Sequence, residues 1–235
     1  MRRGTEAALP PPTFRQDFPE GGGTPRGLDM IKRLFGDPSG AHAPSQPIIV
    51  VSGLPRSGTS MMMKMLAEGG LSAVTDSVRG ADEDNPNGYF EFEPVKKLSE
   101  GQGTWLDGAN GKIVKVISAL LEHLPPQRRY KVLFMEREIK EILASQQKML
   151  HRRGEAPGSP DGEMETQFRE HLRLTKYWLA RQPNMDVLYV DYNTLVEKPE
   201  AYGQTIADFI GVPVDVSRML NVPNERLYRN RVPKR

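Results

Sequence analysis

A chain of 235 residues with 32 lysines and arginines against 30 aspartates and glutamates carries a net charge of +2, too little to favour a polyanion such as nucleic acid. It contains no cysteine, which excludes disulfides and thiolate metal sites. Its longest apolar runs fall far short of a membrane span, and its N-terminus lacks the apolar core of a secretory signal, so the expected setting is cytoplasmic with no transmembrane segment.

Residues 1–46 hold seven prolines and seven glycines, including LPPP and EGGG, and read as a disordered or loosely packed arm. One island in it, GLDMIKRLFG at 27–36, is spaced to bury Met30, Ile31, Leu34 and Phe35 on a short helix. That helix is either docked on the main domain or transient, or else a segment for a partner. Residues 47–235 form the main domain.

There the pattern alternates between short apolar runs and helical stretches. IIVVS at 48–52 predicts a buried strand, and 60–68 predicts a helix with Met62, Met65 and Leu66 on one face. KIVKVI at 112–117 predicts a second strand and YKVLFM at 130–135 a third. The helix after it places Ile139, Ile142, Leu143, Gln146, Met149 and Leu150 at helical spacing. A longer helix over about 163–181 carries Phe168, Leu172, Thr175 and Leu179 as a stripe. DVLYV at 186–190 predicts a fourth strand. The last clear helix opens near Pro199 and stops at Gly211, burying Ile206, Phe209 and Ile210. Strands of near-continuous apolar character alternating with helices argue for a three-layer α/β/α arrangement around a parallel sheet. Ligands of such sheets bind beyond the carboxyl ends of the strands. That rule selects the loop at Gly53, the segment after Lys115, Arg137, and Asp191 with Tyr192.

The loop reads GLPRSGTS from Gly53 to Ser60, a G-x-x-x-x-G-T-S pattern. A triphosphate-binding loop has lysine where Thr59 stands. A loop between strand and helix still points backbone N–H groups at one spot, where the helix dipole adds positive potential. Gly53 and Gly58 permit close approach, and Ser57, Thr59 and Ser60 add hydroxyls. Arg56 lies in the loop itself and supplies a cation beside the anion's outer group. The loop therefore suits a single phosphate carrying one transferable group.

PRSGTS after an apolar strand resembles the 5′-phosphosulfate loop of the sulfotransferases. A second element of that family is an arginine ending a strand with a serine eight positions on. Here Arg137 and Ser145 stand in YKVLFMEREIKEILASQQKML. VLYVDYNTLVEKPEAYGQTIADFIGVP is similar to the family's later strand, turn, proline-started helix and F-L-G ending. DEDNPNGYFEFE at 82–93 resembles a stretch of small bacterial members. The resemblance covers roughly residues 47–213. It implies a P-loop-like sulfotransferase fold and the donor 3′-phosphoadenosine 5′-phosphosulfate, used without a metal. It implies that Pro55, Arg56, Ser57, Gly58, Thr59 and Ser60 hold the 5′ end, Arg137 and Ser145 the 3′-phosphate, and Tyr192 the adenine. Lys115 falls where the tyrosylprotein branch has an assisting lysine. Two departures stand out. Asn193 replaces an acidic residue after the tyrosine, and the cytosolic branch's R-K-G element is absent. Arg229 and Arg231, with Tyr228, are candidates to close over the nucleotide in its place, or belong to an exposed tail.

Sulfuryl transfer to a hydroxyl acceptor calls for a base. The tyrosylprotein branch has a glutamate about twenty residues after the loop arginine. Asp76 lies twenty residues after Arg56 and is the first candidate, with Glu91 the second. Arg79 is placed either to pair with Asp76 or to hold an anionic acceptor. His42, His123, His151 and His171 are poorly placed for the role. NPNG at 85–88 is a turn by its chemistry. Tyr89 and Phe90 either pin it to the core or form a wall of the acceptor cleft. The stretch 151–162 is either a flap or a connector. The acceptor is a small molecule, glycan, lipid or peptide hydroxyl. Two other readings remain open: a P-loop kinase or nucleoside triphosphatase using Asp191 for magnesium, and a non-catalytic nucleotide-binding scaffold.

Overall fold

The computed structural model describes residues 46–76, 88, 90–152, 154–155 and 161–223, all within the second of two units into which the chain divides, Ser45–Arg235. The arm and its island at 27–36 lie outside the described residues.

Four parallel strands form one sheet in the order β2-β1-β3-β4. They are β1 (Ile48–Gly53), β2 (Ile113–Lys115), β3 (Tyr130–Glu136) and β4 (Met185–Asp191). β1 is buried along its whole length, as a central strand covered on both faces must be. Side chains alternate between faces, so each strand feeds two cores. Ile49, Val51, Ile113, Leu133, Met135 and Val190 pack on one face and Ile48, Val50, Val114, Val132 and Phe134 on the other.

The first face is covered by α1 (Thr59–Glu68), α4 (Tyr192–Glu197), α5 (Glu200–Ile210) and α6 (Val216–Leu220). Met62, Met65 and Leu66 of α1 are fully buried there, as their spacing predicts, and Ile206 and Ile210 of α5 join them. The second face is covered by short 3-10 helices (Glu93–Glu100, Thr104–Gly108, Ser118–His123) and by α3 (Asp161–Leu179) through Leu179. The helix α2 (Ile139–Arg152) buries Ile139, Ile142, Leu143 and Ser145. The three-layer α/β/α arrangement around a parallel sheet is thus present.

Two differences from the sequence reading have local causes. β2 is three residues long rather than six, because Val116 N–H still donates to Val51 (3.0 Å) but Ile117 turns out and Ser118 opens a 3-10 helix. The segment after β4, read as a turn, is the helix α4. Asp191 caps it, with Thr194 N–H donating to Asp191 Oδ1 at 2.7 Å.

The strand order reverses around β1: the chain goes from β1 to β2 on one side and then to β3 on the other. The loop leaving β1 therefore lies at the switch point of the sheet, where a crevice opens.

Candidate functional site

Three backbone features shape the loop from Gly53 to Gly58. Gly53 has φ +143°, and a Cβ there would stand 2.6 Å from Ser57 Oγ and 2.7 Å from Met135 O. Gly58 has φ +101°, and a Cβ there would stand 2.3 Å from Tyr192 Cδ2. Arg56 takes φ +71°, a left-handed conformation that costs a non-glycine residue about 1 kcal/mol. The two glycines are needed because β3 and the Tyr192 ring press directly on the loop backbone. Gly58 occupies the N-cap of α1 and offers no side-chain cap to the N–H groups of the first turn, which in any helix lack an intrahelical partner. Ser57 is 1% exposed and its Oγ has no hydrogen-bond partner among the described residues. A buried hydroxyl of that kind fits an anion held in the loop.

The loop is tied to the strand end and helix that follow β3. Arg56 Nε donates to Ser145 Oγ at 3.0 Å, and Arg137 Nη1 donates to the Arg56 carbonyl at 3.1 Å. Arg137 Nε also donates to Glu141 Oε2 at 3.0 Å, and its guanidinium lies over the Tyr192 ring at 4.4 Å. Asn193 Nδ2 donates to the other oxygen of Glu141 at 3.3 Å. The structure thus brings Arg56, Ser57, Gly58, Arg137, Ser145 and Tyr192 into one constellation, drawn from three segments of the chain. Burial raises the Tyr192 phenol above its usual pKa, and Arg137 opposes that shift. A cavity of about 170 Å³ adjoins the constellation, lined in part by Leu54, Ser57, Arg137, Glu138, Arg169 and Leu172. Pro55 is exposed, and Thr59 and Ser60 are half-buried at the start of α1.

Lys115 ends β2 in register with Val51, half-buried at the carboxyl edge of the sheet. A further extended segment runs beside β2: Ala73 bridges Ile113 in parallel, Val74 N–H donates to Ile113 (2.8 Å), and Ile113 N–H donates to Ser72 (3.0 Å). That register carries Asp76 to the same sheet edge as Lys115, two strand spacings of about 4.8 Å from β1. Glu91 is drawn to the same place. Asp76 N–H donates to the Glu91 carbonyl at 3.3 Å, and Thr75 Oγ1 donates to it at 3.0 Å. Asp76 Oδ2 in turn accepts the Glu93 N–H at 2.6 Å. The two candidate residues are therefore backbone neighbours.

Several sequence candidates fall elsewhere. Arg229, Arg231, Tyr228, Arg79 and Tyr89 lie outside the described residues, as does most of NPNG. Asp191 spends its Oδ1 on capping α4, which accounts for an aspartate at that strand end without a metal. Among the described residues no three His, Cys, Asp or Glu side chains gather to hold a metal ion, and no helix is long and apolar enough to cross a membrane. His171 Nε2 lies 2.8 Å from Ser118 Oγ, tying α3 to the segment after β2. The residue that sequence reasoning missed is Glu141, 1% exposed on α2. Its signal was present as an Arg–Glu pair at i, i+4 spacing.

The sequence model described as "Sulfotransferase domain" matches residues 46–230. No curated protein matches the chain significantly in sequence. Among solved structures, a sulfotransferase domain from the curacin biosynthetic pathway aligns at 14% identity and TM-score 0.45, covering 81% of this chain and 93% of that one. A sulfotransferase domain from the Synechococcus PCC 7002 olefin synthase aligns at 14% identity and TM-score 0.44, covering 81% and 85%. A retinol dehydratase in complex with androsterone and the inactive cofactor PAP aligns at 18% identity and TM-score 0.40, covering 76% and 63%.

Proposed function

The chain belongs to the sulfotransferase domain family, and from that premise we propose that it moves a sulfuryl group from 3′-phosphoadenosine 5′-phosphosulfate to a hydroxyl-bearing acceptor, with residues 47–235 as its catalytic domain. The observation that carries this reading is the hydrogen-bonded joining of Arg56, Arg137 and Ser145 at the mouth of the loop. An anion with two phosphate groups at opposite ends of one nucleoside needs two cationic subsites, and this constellation supplies both from adjoining segments.

The roles follow from position. The N–H groups of Gly58, Thr59 and Ser60 and the Ser57 hydroxyl, which has no partner among the described residues, hold the 5′ end, while Pro55 shapes the turn and the Ser57 N–H closes it on the Leu54 carbonyl at 3.1 Å. Arg137 and Ser145 hold the 3′-phosphate, and the Tyr192 ring lines the adenine subsite. Arg56 and Lys115 stabilise the negative charge that gathers on the sulfuryl and bridging oxygens in the transition state. Asp76 or Glu91 takes the proton as the acceptor oxygen attacks sulfur in line and the bond from sulfur to the bridging oxygen breaks. Positioning and electrostatics supply the catalysis. The acceptor lies on the side of the crevice where Asp76 and Lys115 share a sheet edge. Arg229 and Arg231 are proposed to close over the nucleotide. The proposed setting is cytoplasmic, with no nucleic acid as acceptor.

The test is incubation with labelled donor, no added metal, and a panel of alcohols, phenols, glycans, lipid head groups and tyrosyl peptides, read by mass spectrometry. A mass gain of one sulfuryl group on an acceptor is the expected result, abolished by Arg56→Ala. Magnesium-dependent phosphoryl transfer from ATP, with no sulfated product, would reject it.

A further inference from the structure

Glu141 is a carboxylate with a side chain 1% exposed, beside a guanidinium only 7% exposed. A charge buried that deeply is retained at a cost in desolvation, so it points to something it must hold in place. We propose that Glu141 is the positioning residue for recognition of the donor's 3′-phosphate, and that Asn193 is its required second donor. The inference rests on the reading that Arg137 holds that phosphate.

The geometry is a chain of fixed contacts. Glu141 Oε2 accepts from Arg137 Nε at 3.0 Å, which orients one edge of the guanidinium. The plane of that guanidinium is set by the Tyr192 ring at 4.4 Å. Its Nη1 then reaches the Arg56 carbonyl at 3.1 Å. Arginine's fork is rigid, so fixing Nε and one terminal nitrogen fixes the direction of the other. Arg137 stands two residues before α2, and Glu141 and Ser145 lie one turn apart on α2, so those two share a helix face. The carboxylate lies between the two proposed phosphate donors in the chain, four residues from each.

Asn193 explains itself in the same frame. Its Nδ2 donates to Glu141 Oε1 at 3.3 Å. An ionised acidic residue at 193 would set a second acceptor against Glu141, with no hydrogen to donate to it. The amide instead donates to Oε1 and leaves Oε2 to Arg137. The asparagine that breaks the family's acidic pattern is thus matched to its buried neighbour.

The probes are adenosine 3′,5′-bisphosphate and adenosine 5′-monophosphate, and the readout is the ratio of their affinities by calorimetry. Glutamine at 141 turns one of the two accepting oxygens into an NH2 donor, which opposes the donor of Arg137 or of Asn193, and removes the countercharge. Glu141→Gln is expected to lower the ratio by about 10-fold or more. Asn193→Ala, which leaves the charge in place, is expected to lower it by about 3-fold. A carboxylate that only supports the fold would lower both affinities together and leave the ratio unchanged. One that merely competes for Arg137 would raise the ratio when neutralised. Either result overturns the proposal, and should Glu141→Gln not fold, an unchanged ratio in Asn193→Ala does so by itself. A wild-type protein that binds both nucleotides equally would instead reject the underlying assignment of Arg137, and this inference with it.

Discussion

Arg56 and Ser145 stand 89 residues apart in the chain, yet Arg56 Nε donates to Ser145 Oγ at 3.0 Å. A serine hydroxyl can accept that bond and still donate its own hydrogen to a phosphate oxygen. Ser145→Ala removes both contacts. It is expected to weaken adenosine 3′,5′-bisphosphate binding by about 10-fold, the value of one good hydrogen bond to a charged group. Calorimetry reads this directly, and an unchanged dissociation constant would remove Ser145 from the site.

Gly58 has no room for a side chain. Gly58→Ala places a methyl 2.3 Å from Tyr192 Cδ2 and asks alanine to hold φ +101°. The expected cost is about 2 kcal/mol, a fall in melting temperature of roughly 5 °C, together with lost nucleotide affinity as the loop and Tyr192 part. A variant with native melting temperature and native affinity would show that the close packing of loop and ring is unimportant.

The two carboxylates at the sheet edge separate by kinetics. Asp76→Asn and Glu91→Gln should both leave bisphosphate affinity near the wild-type value. The variant that removes the base should lose about 100-fold or more in turnover, within the range of general-base catalysis. Asp76→Asn is the expected loss, because its segment continues the sheet beside Lys115. Full turnover in both variants would mean that neither group takes the proton.

Tyr130 gives the fold an alkaline limit. Its ring is 1% exposed, its hydroxyl donates to the Pro125 carbonyl at 3.0 Å, and burial pushes its pKa up to about 12, against a smaller opposing effect of Arg128. The folded protein keeps this proton where the unfolded chain has begun to lose it. The associated stability is full below about pH 10 and lost as pH climbs to about 12, an order of 2–3 kcal/mol. Urea titrations at pH 8 and pH 11.5 should show the loss, and Tyr130→Phe should show a smaller one. Equal losses in both proteins would assign the effect to other groups.

The strands and the loop were legible because parallel strands buried on both faces read as apolar runs, and because a glycine-bounded loop between strand and helix is a local pattern. Arg137 and Ser145 were legible as a strand-end arginine with a serine eight residues on, in the following helix. What stayed hidden depends on contacts between distant segments. The run from Ser72 to Asp76 is too short and mixed to announce an extended segment beside β2, and only pairing with Ile113 makes it one. Glu141 stands outside the apolar spacing of Ile139, Ile142 and Leu143, which gives no local sign of its burial. Its burial comes from Asn193, 52 residues away, and from Arg137 turning inward. α4 was missed because a six-residue helix has little periodicity, although Asp191 three residues before Thr194 is a capping signal.

The most direct test of the account is a calorimetric titration of the wild-type protein and Arg137→Ala with adenosine 3′,5′-bisphosphate in the presence of a chelator. The account predicts tight binding by the wild type without divalent metal and a loss of about 100-fold in the variant, as expected for removing a charged hydrogen-bonding partner of a phosphate. Equal affinity in the two proteins, or no binding by the wild type until magnesium is supplied, would contradict it.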